Sequence, residues 1–369
     1  MSGQLSNRPR SIVFLGTAHD NGGSSILASN LAEAMRLAGH HVEEWYLFSS
    51  PSACMPAAAR VFTDGRRSSS PISLAALFVR LIAALRAHRP DIVFGLQSLA
   101  NLFAGIGGRI AGVRNRVPTY HQPRERQNPT LMTVDALVSW LGLYTQMIAC
   151  GESVATTYRQ KGNPYARMAV VANGHERPQL YPKQQARAEF GLPLDQPVIG
   201  QIGRLDYQKN QAFTLDLLKD MPCVGALMVG TGPDEEAVKA RIAAGNLAPR
   251  VRLVPSIDHA RIGTFFSAVD VVLFPSRFEG LSLAAIEAIH AGVPPLCSDI
   301  ASFREMFATS PLLTETLLLP SSDHAAWLAR IGEILTDRDL HDRVTAELAA
   351  LSPLYSFETT VQRYLRLLD

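Results

Sequence analysis

The chain has 369 residues, 47% of them hydrophobic and 18% charged, with a net charge of +2. That length favours two domains of about 170–180 residues, and no apolar run approaches the roughly 20 residues of a membrane span. The apolar run at residues 12–15, behind Arg8 and Arg10, is too short for a secretory leader. The expected setting is therefore the cytoplasm, with peripheral contact to the inner face of the membrane left open. Cys54, Cys150, Cys223 and Cys297 lack paired metal-ligand spacing and lie in or beside apolar segments. They read as buried free thiols. The charge is uneven. Residues 1–180 hold 18 Lys and Arg against 10 Asp and Glu, a balance of +8, and the remainder holds 17 against 23, a balance of −6. The basic half suits an anionic surface or polyanion, or is simply an arginine-rich exterior.

In chain order, residues 11–16 read as a first strand, followed by a loop with Gly22 and Gly23, a helix with apolar positions Ile26, Leu27, Leu31 and Met35, and a second strand at 42–48. This is a strand–loop–helix–strand unit. Its glycine pair serves either as a plain turn or as a place where backbone N–H groups approach a phosphate. Residues 49–73 read as loop. Residues 74–88 form an amphipathic helix with Arg80 and Arg86 on its polar side, either packed on the core or facing lipid. Strands are expected near 90–95, 114–120, 145–150 and 168–172, alternating with helices at 99–110, 132–144 and 153–160. The segment 175–195, with Pro178, Pro182 and Pro193 and a short helix near 184–190, reads as the best linker candidate. The pattern then restarts. Strands are expected at 197–203, 223–229, 251–254, 269–274, 294–297 and 317–319, with helices at 212–218, 262–268, 325–335, 340–351 and 356–368. Regular alternation of this kind implies α/β architecture: two doubly wound Rossmann-like domains facing across a cleft. The expected boundaries are residues 1–174 and 175–353, with the last helix, within 354–369, packing back on the first domain. No nucleic-acid motif is present.

The stretch 274–294 organises the second half. A buried strand at 269–274 runs into a turn bearing Glu279 and Gly280, and a helix follows from about Ser282, with Glu287 two turns in and Gly292 and Pro294 closing it. Glu279 therefore stands at the carboxyl end of a strand, where open α/β sheets bind ligands. Gly203, Arg204 and Lys209 follow another strand, and Gly230 and Gly232 a third. Two cations beside a helix start at Gly280, Leu281 and Ser282 suit a diphosphate. Glu287 suits a ribose diol and Glu279 the hydroxyls of a sugar. Alternatively, a carboxylate of this kind merely caps the helix.

These motifs resemble the retaining GT-B glycosyltransferases, specifically the group 1 family (family 4). The residues concerned are Gly22–Gly23 with Asn30, Gly39 with His40, Asn173–Gly174, Gly203–Arg204 with Lys209, Gly230 with Gly232, and Glu279 with Glu287 at a seven-residue gap. The resemblance runs from about residue 11 to the end. It implies that the first domain binds the acceptor and the second the nucleotide-sugar donor. By the same resemblance Arg204 and Lys209 hold the diphosphate, Glu279 contacts the transferred sugar, Glu287 reaches the ribose, Gly22 and Gly23 face the phosphates, and His121 approaches the sugar. It further implies hexose transfer with retention, no cofactor and no metal, and a glycan or lipid-linked acceptor; the alternatives are a soluble small-molecule acceptor, or a GT-B sugar-nucleotide binding protein without turnover. Pro255 stands where the family often has glycine, and Ser24 and Ser25 follow the glycine pair where a charged residue is often found a little later.

Overall fold

The computed structural model describes residues 8–18, 23–49, 58–63, 70–159 and 163–367. The chain divides into two compact units, one of Met1–Asn173 with Glu358–Asp369 and one of Gly174–Phe357.

Among the described residues, unit 1 holds a parallel sheet of seven strands: β1 (Ser11–Ala18), β2 (His41–Phe48), β3 (Arg60–Val61), β4 (Ile92–Gly95), β5 (Asn115–Tyr120), β6 (Ile148–Ala149) and β7 (Ala169–Val170). Their order is β3-β2-β1-β4-β5-β6-β7, with β1 an inner strand and Ile12 in register with both Val42 and Ile92. Ile12, Val13, Phe14 and Leu15 are fully buried, because helices cover both faces of a parallel sheet and an inner strand then reads as an unbroken apolar run. The connecting helices are α1 (Gly23–Leu37), α2 (Pro71–His88), α3 (Ser98–Ala111), α4 (Pro129–Trp140) and α5 (Glu152–Tyr158). Two of them start earlier than their apolar periodicity indicates. Pro71 and Pro129 occupy first-turn positions after Ser70 and Asn128, where a missing N–H costs nothing. The expected loop 49–73 also contains β3, which pairs with β2 through Trp45 and Tyr46.

A buried polar knot ties this unit together. The Asp135 carboxylate on α4 accepts hydrogen bonds from the hydroxyls of Tyr120 (2.8 Å), Tyr144 (2.5 Å) and Tyr165 (2.6 Å). Burial pushes its pKa up while the three hydroxyls pull it down, with a net rise. Three donors around one buried carboxylate satisfy what would otherwise be costly.

Unit 2 holds, among the described residues, a six-stranded parallel sheet: β8 (Val198–Ile202), β9 (Gly225–Val229), β10 (Val251–Val254), β11 (Val271–Phe274), β12 (Pro295–Ser298) and β13 (Leu318–Leu319), in the order β10-β9-β8-β11-β12-β13. Its helices are α6 (Lys183–Phe190), α7 (Gln211–Lys219), α8 (Glu235–Ala244), α9 (Ile262–Ala268), α10 (Leu283–Ala291), α11 (Ala301–Phe307), α12 (Pro311–Leu317), α13 (His324–Thr336) and α14 (Arg338–Leu351). Chain direction across the sheet reverses between β8 and β11, the switch point at which such sheets open a crevice.

Two expectations are corrected here. The segment 175–195 is not a free linker. Arg187 on α6 is 1% exposed; it donates to Asp270 (2.7 Å), to Ala268 O (3.0 Å) and to the carbonyls of Pro193, Leu194 and Gln196. Five acceptors for one guanidinium bind α6 into unit 2, and the prolines only shape its approaches. Cys223 is exposed, whereas Cys150 and Cys297 are buried; Cys54 lies outside the described residues. Cys223 precedes β9, which begins two residues later than the apolar run suggests.

The last helix, α15 (Phe357–Arg366), returns to unit 1. Thr360 Oγ1 donates to Ala172 O (2.9 Å), and the buried ring of Tyr364 meets Phe94 at 5.8 Å. The chain's two passages between units run side by side, because His175 and Ser356 form a parallel bridge. Among the described residues one helix, α2, is by length and composition apolar enough to cross a membrane (18 residues, mean hydropathy 1.4). Its Leu77, Leu81, Ala84 and Leu85 instead pack into the core of unit 1.

Candidate functional site

The carboxyl ends of β8, β9 and β11 carry the charged loops of unit 2. Gly203 follows β8 with φ +138° and Gly230 follows β9 with φ +152°. A Cβ on Gly230 would lie 1.9 Å from Gly203 O, so glycine at 230 lets the two loops touch, in a conformation L-residues rarely adopt. Beyond Gly203, the chain makes a tight loop before α7. Asp206 shapes it: its Oδ1 accepts from Lys209 N (3.1 Å) and its Oδ2 from Arg204 Nε (2.6 Å). Asn210 closes the loop with φ +54° and donates to Pro275 O (3.2 Å), while Arg277 N donates to Gln208 O (2.9 Å). The loops after β8 and β11 are thereby stitched by one backbone–backbone hydrogen bond and one from the Asn210 side-chain amide.

That stitching sets the central contact. Lys209 Nζ lies 2.6 Å from Glu279 Oε1, and Gln208 Nε2 donates to Glu279 Oε2 at 3.0 Å. Both carboxylate oxygens are therefore met. The Glu279 side chain is 6% exposed and that of Lys209 17%, so the pair is held largely out of water, where its attraction is strong and its geometry fixed. Arg204 is 60% exposed and paired to Asp206 through Nε alone. Gly280 is buried, Leu281 nearly so, and Ser282 opens α10 without a side-chain cap. The buried hydroxyls of Ser276 and Ser282 have no partner among the described residues.

Glu287 projects from α10 into a different neighbourhood. Its carboxylate, 7% exposed, lies 3.7 Å from His175 Nδ1 and 3.8 Å from His259 Nδ1. The two imidazoles meet edge to face at 4.8 Å. At these separations no hydrogen bond forms, and pairing does not offset desolvation. Burial lifts the Glu287 carboxyl to about 8 and drops His175 to about 4, with His259 also lowered.

In unit 1, His121 stands just past β5. Thr119 Oγ1 donates its one proton to Gly95 O (2.7 Å) and lies 2.9 Å from His121 Nε2. It therefore accepts from Nε2–H, which assigns the tautomer from the network. His121 Nδ1 is left as a buried lone pair without a partner, and burial lowers the imidazole pKa to about 4. Such a group is a neutral acceptor awaiting a donor such as a hydroxyl. Gly23 is the exposed first residue of α1, and Gly22 lies outside the described residues.

The structure thus gathers Gly203, Arg204, Lys209, Glu279, Gly280, Leu281, Ser282 and Glu287 in unit 2, and places His121 and Gly23 in unit 1. Four residues that neighbour these side chains escaped the sequence reading: Asp206, Gln208, His175 and His259. Gln208 lay one residue from Lys209 with no charge to mark it. His175 followed the Asn173–Gly174 turn, and His259 the loop after β10.

Comparison with known proteins agrees with the fold. Two Rossmann-like parallel-sheet units make the architecture of the GT-B glycosyltransferases. HepE from Anabaena, solved in complex with UDP-glucose, superposes with a TM-score of 0.82 over 97% of this chain and 99% of that one, at 19% identity. Residues 21–176 match the family model described as Glycosyltransferase Family 4, and residues 182–348 that described as Glycosyl transferases group 1. The chain belongs to the group 1 glycosyltransferases. Among curated relatives, 2-deoxystreptamine N-acetyl-D-glucosaminyltransferase of Streptomyces fradiae is 28% identical over 295 residues, 74% of this chain and 69% of that protein. The lipopolysaccharide core mannosyltransferase LpsB of Rhizobium meliloti is 28% identical over 197 residues, 50% of this chain and 55% of that protein.

The buried state of His121 has a measurable signature. Its folded pKa lies below its unfolded value, so the folded state binds fewer protons and stability falls as pH drops from about 6.5 toward about 4. His121→Asn, measured by urea unfolding at pH values from about 7 to about 5, should narrow the stability gap to wild type as pH falls. A gap independent of pH contradicts the buried neutral imidazole.

Proposed function

We propose that this glycosyltransferase moves a hexose, with retention of anomeric configuration, from a nucleoside-diphosphate sugar to a lipid-linked or polysaccharide acceptor, without a cofactor or a metal in the chemical step. The observation that carries the donor side is the Lys209–Glu279–Gln208 contact (2.6 and 3.0 Å) on stitched loops at the switch point. In this reading Lys209, with the outward guanidinium of Arg204, neutralises the diphosphate, whose charge grows as the glycosidic bond breaks. Fixed cations of this kind stabilise the transition state more than the ground state. The uncapped start of α10 at Gly280, Leu281 and Ser282 adds backbone N–H groups. Glu279 holds the sugar hydroxyls and Glu287 the ribose. The glycines Gly22, Gly23 and Gly203 let backbone approach the phosphates, and His121 Nδ1 accepts from a sugar hydroxyl. In this reading Glu279, with both carboxylate oxygens engaged by Lys209 and Gln208, holds hydroxyls rather than attacking the sugar, and retention proceeds by same-face attack in which the leaving phosphate takes the acceptor proton.

The acceptor side rests on surface chemistry. The first 180 residues carry +8, and unit 1 exposes Trp140 (73%), Leu137 (54%) and Leu141 (54%) at the end of α4, with Val79 (65%) and Ile72 (82%) on α2. Exposed Arg80, Arg86, Arg109 and Arg114 belong to the same α2–α3–α4 region. Aromatic and aliphatic side chains among arginines suit the headgroup level of an anionic membrane. A soluble small acceptor is the second reading, favoured by the S. fradiae relative, whose name gives deoxystreptamine as its acceptor.

Arg204→Ala and Lys209→Ala should each lower kcat/KM about 10²–10³-fold, as loss of a charge-stabilising donor does, read by release of nucleoside diphosphate from its sugar. Near-normal turnover in both variants contradicts the donor assignment. Binding to anionic vesicles should weaken as salt rises and fall in Trp140→Ala. Absence of binding to anionic vesicles removes the membrane reading and leaves the soluble acceptor.

A further inference from the structure

Glu287 is nearly buried, yet no described residue donates a hydrogen bond to it; two imidazoles face it instead. A carboxylate out of water asks for a donor or a cation. We propose that His175, His259 and Glu287 form a binding site for a zinc-like divalent cation, and that cation and donor exclude one another there. The second half of this proposal rests on the assignment of Glu287 to the donor ribose; the first does not.

The geometry argues for it. One nitrogen from each imidazole and one carboxylate oxygen all lie within 4.8 Å of one another. Taking 3.7, 3.8 and that 4.8 Å limit as the sides of a triangle, the point equidistant from its corners lies about 2.4 Å from each. Zinc bonds to imidazole nitrogen and carboxylate oxygen are about 2.0–2.2 Å. A shift of a few tenths of an ångström per side chain closes the site. Two imidazoles and a carboxylate are a common zinc donor set, which leaves a fourth position for water. His259 is 46% exposed, so its edge opens the site to solvent and supplies a route for the ion, while His175 (6%) and Glu287 (7%) form the buried wall. His175 Nδ1 is also 3.1 Å from Glu176 O. Coordination through that nitrogen exchanges the carbonyl contact for the metal and leaves the proton on Nε2. The three ligands come from three separated parts of unit 2: the chain just past its first residue, the turn before α9, and the middle of α10. An ion here would therefore tie these parts together.

The consequence is regulatory. A cation on Glu287 takes the oxygens that the ribose diol would use, so zinc acts as an inhibitor competitive with donor rather than as a cofactor.

The test uses untagged protein of residues 1–369 freed of metal by a chelator. Zinc alone is titrated by calorimetry, and cobalt alone is followed by its visible d–d absorption. Wild type should bind one equivalent of either ion, with a cobalt spectrum of nitrogen–oxygen ligation. His259→Ala should weaken both at least tenfold, while its thermal shift with the best binder among UDP, GDP and ADP stays that of wild type. No cobalt band, or a band unchanged in His259→Ala, overturns the site. Adding that nucleotide in excess should bleach the cobalt band. A band that persists in a protein whose metal-free form binds the nucleotide overturns the exclusion. A cobalt site in a protein that binds none of the three nucleotides refutes the donor assignment and the exclusion together, and leaves the cation site standing.

Discussion

The ion pair between Lys209 and Glu279 is the constraint on which unit 2 turns. It joins the loop after β8 to the loop after β11, the two strands that flank the reversal of sheet order. Losing either partner strands a charge in a nearly dry place, a change costing about 3–5 kcal/mol when such pairs are broken. The pair is thus a structural tie and, in the proposed mechanism, the seat of two donor contacts. Its neighbours follow from it. Asp206 holds Arg204 and the turn, Asn210 adopts a left-handed conformation to reach Pro275, and Arg277 returns a backbone hydrogen bond to Gln208. Beneath the pair, burial first, and Glu279 second, pushes the Cys297 thiol far up, which keeps it an inert packing group.

The two carboxylates separated by seven residues have different surroundings, and that difference suits different tasks. Glu279 is saturated by a cation and an amide and is held in place by both. Glu287 has neither, and burial raises its pKa to about 8. A group left unsatisfied in the ligand-free protein carries a standing cost that a ligand can relieve. The same reasoning applies to His121 Nδ1, a buried acceptor whose tautomer is dictated by Thr119 and Gly95.

Much of this was legible in the sequence because parallel sheets write themselves as apolar runs. The runs at 12–15 and 271–274 needed no other cue, and Gly292 marked the end of α10 through its left-handed conformation. The resemblance then attached roles to Arg204, Lys209, Glu279 and Glu287. What periodicity missed has physical causes. Helices α2 and α4 begin on prolines, which carry no apolar signal, and β3 is two residues long and exists only through its pairing with β2. Helices α11 and α12 are seven residues each, too short to establish a period. No local pattern marks Arg187 as buried; the converging carbonyls of Pro193, Leu194, Gln196 and Ala268, with the Asp270 carboxylate, explain it. Gln208, His175 and His259 act through long-range juxtaposition, to which a local pattern is blind.

The account turns on whether Glu279, held by Lys209 and Gln208, touches the sugar and not merely the nucleotide. Calorimetry of Glu279→Gln against a nucleoside diphosphate and against its sugar conjugate decides this most directly. The account predicts that the sugar conjugate loses at least about tenfold in affinity, the scale of one charged hydrogen bond, while the bare nucleoside diphosphate binds nearly as before. Equal loss for the two ligands, or no loss for either, would contradict it.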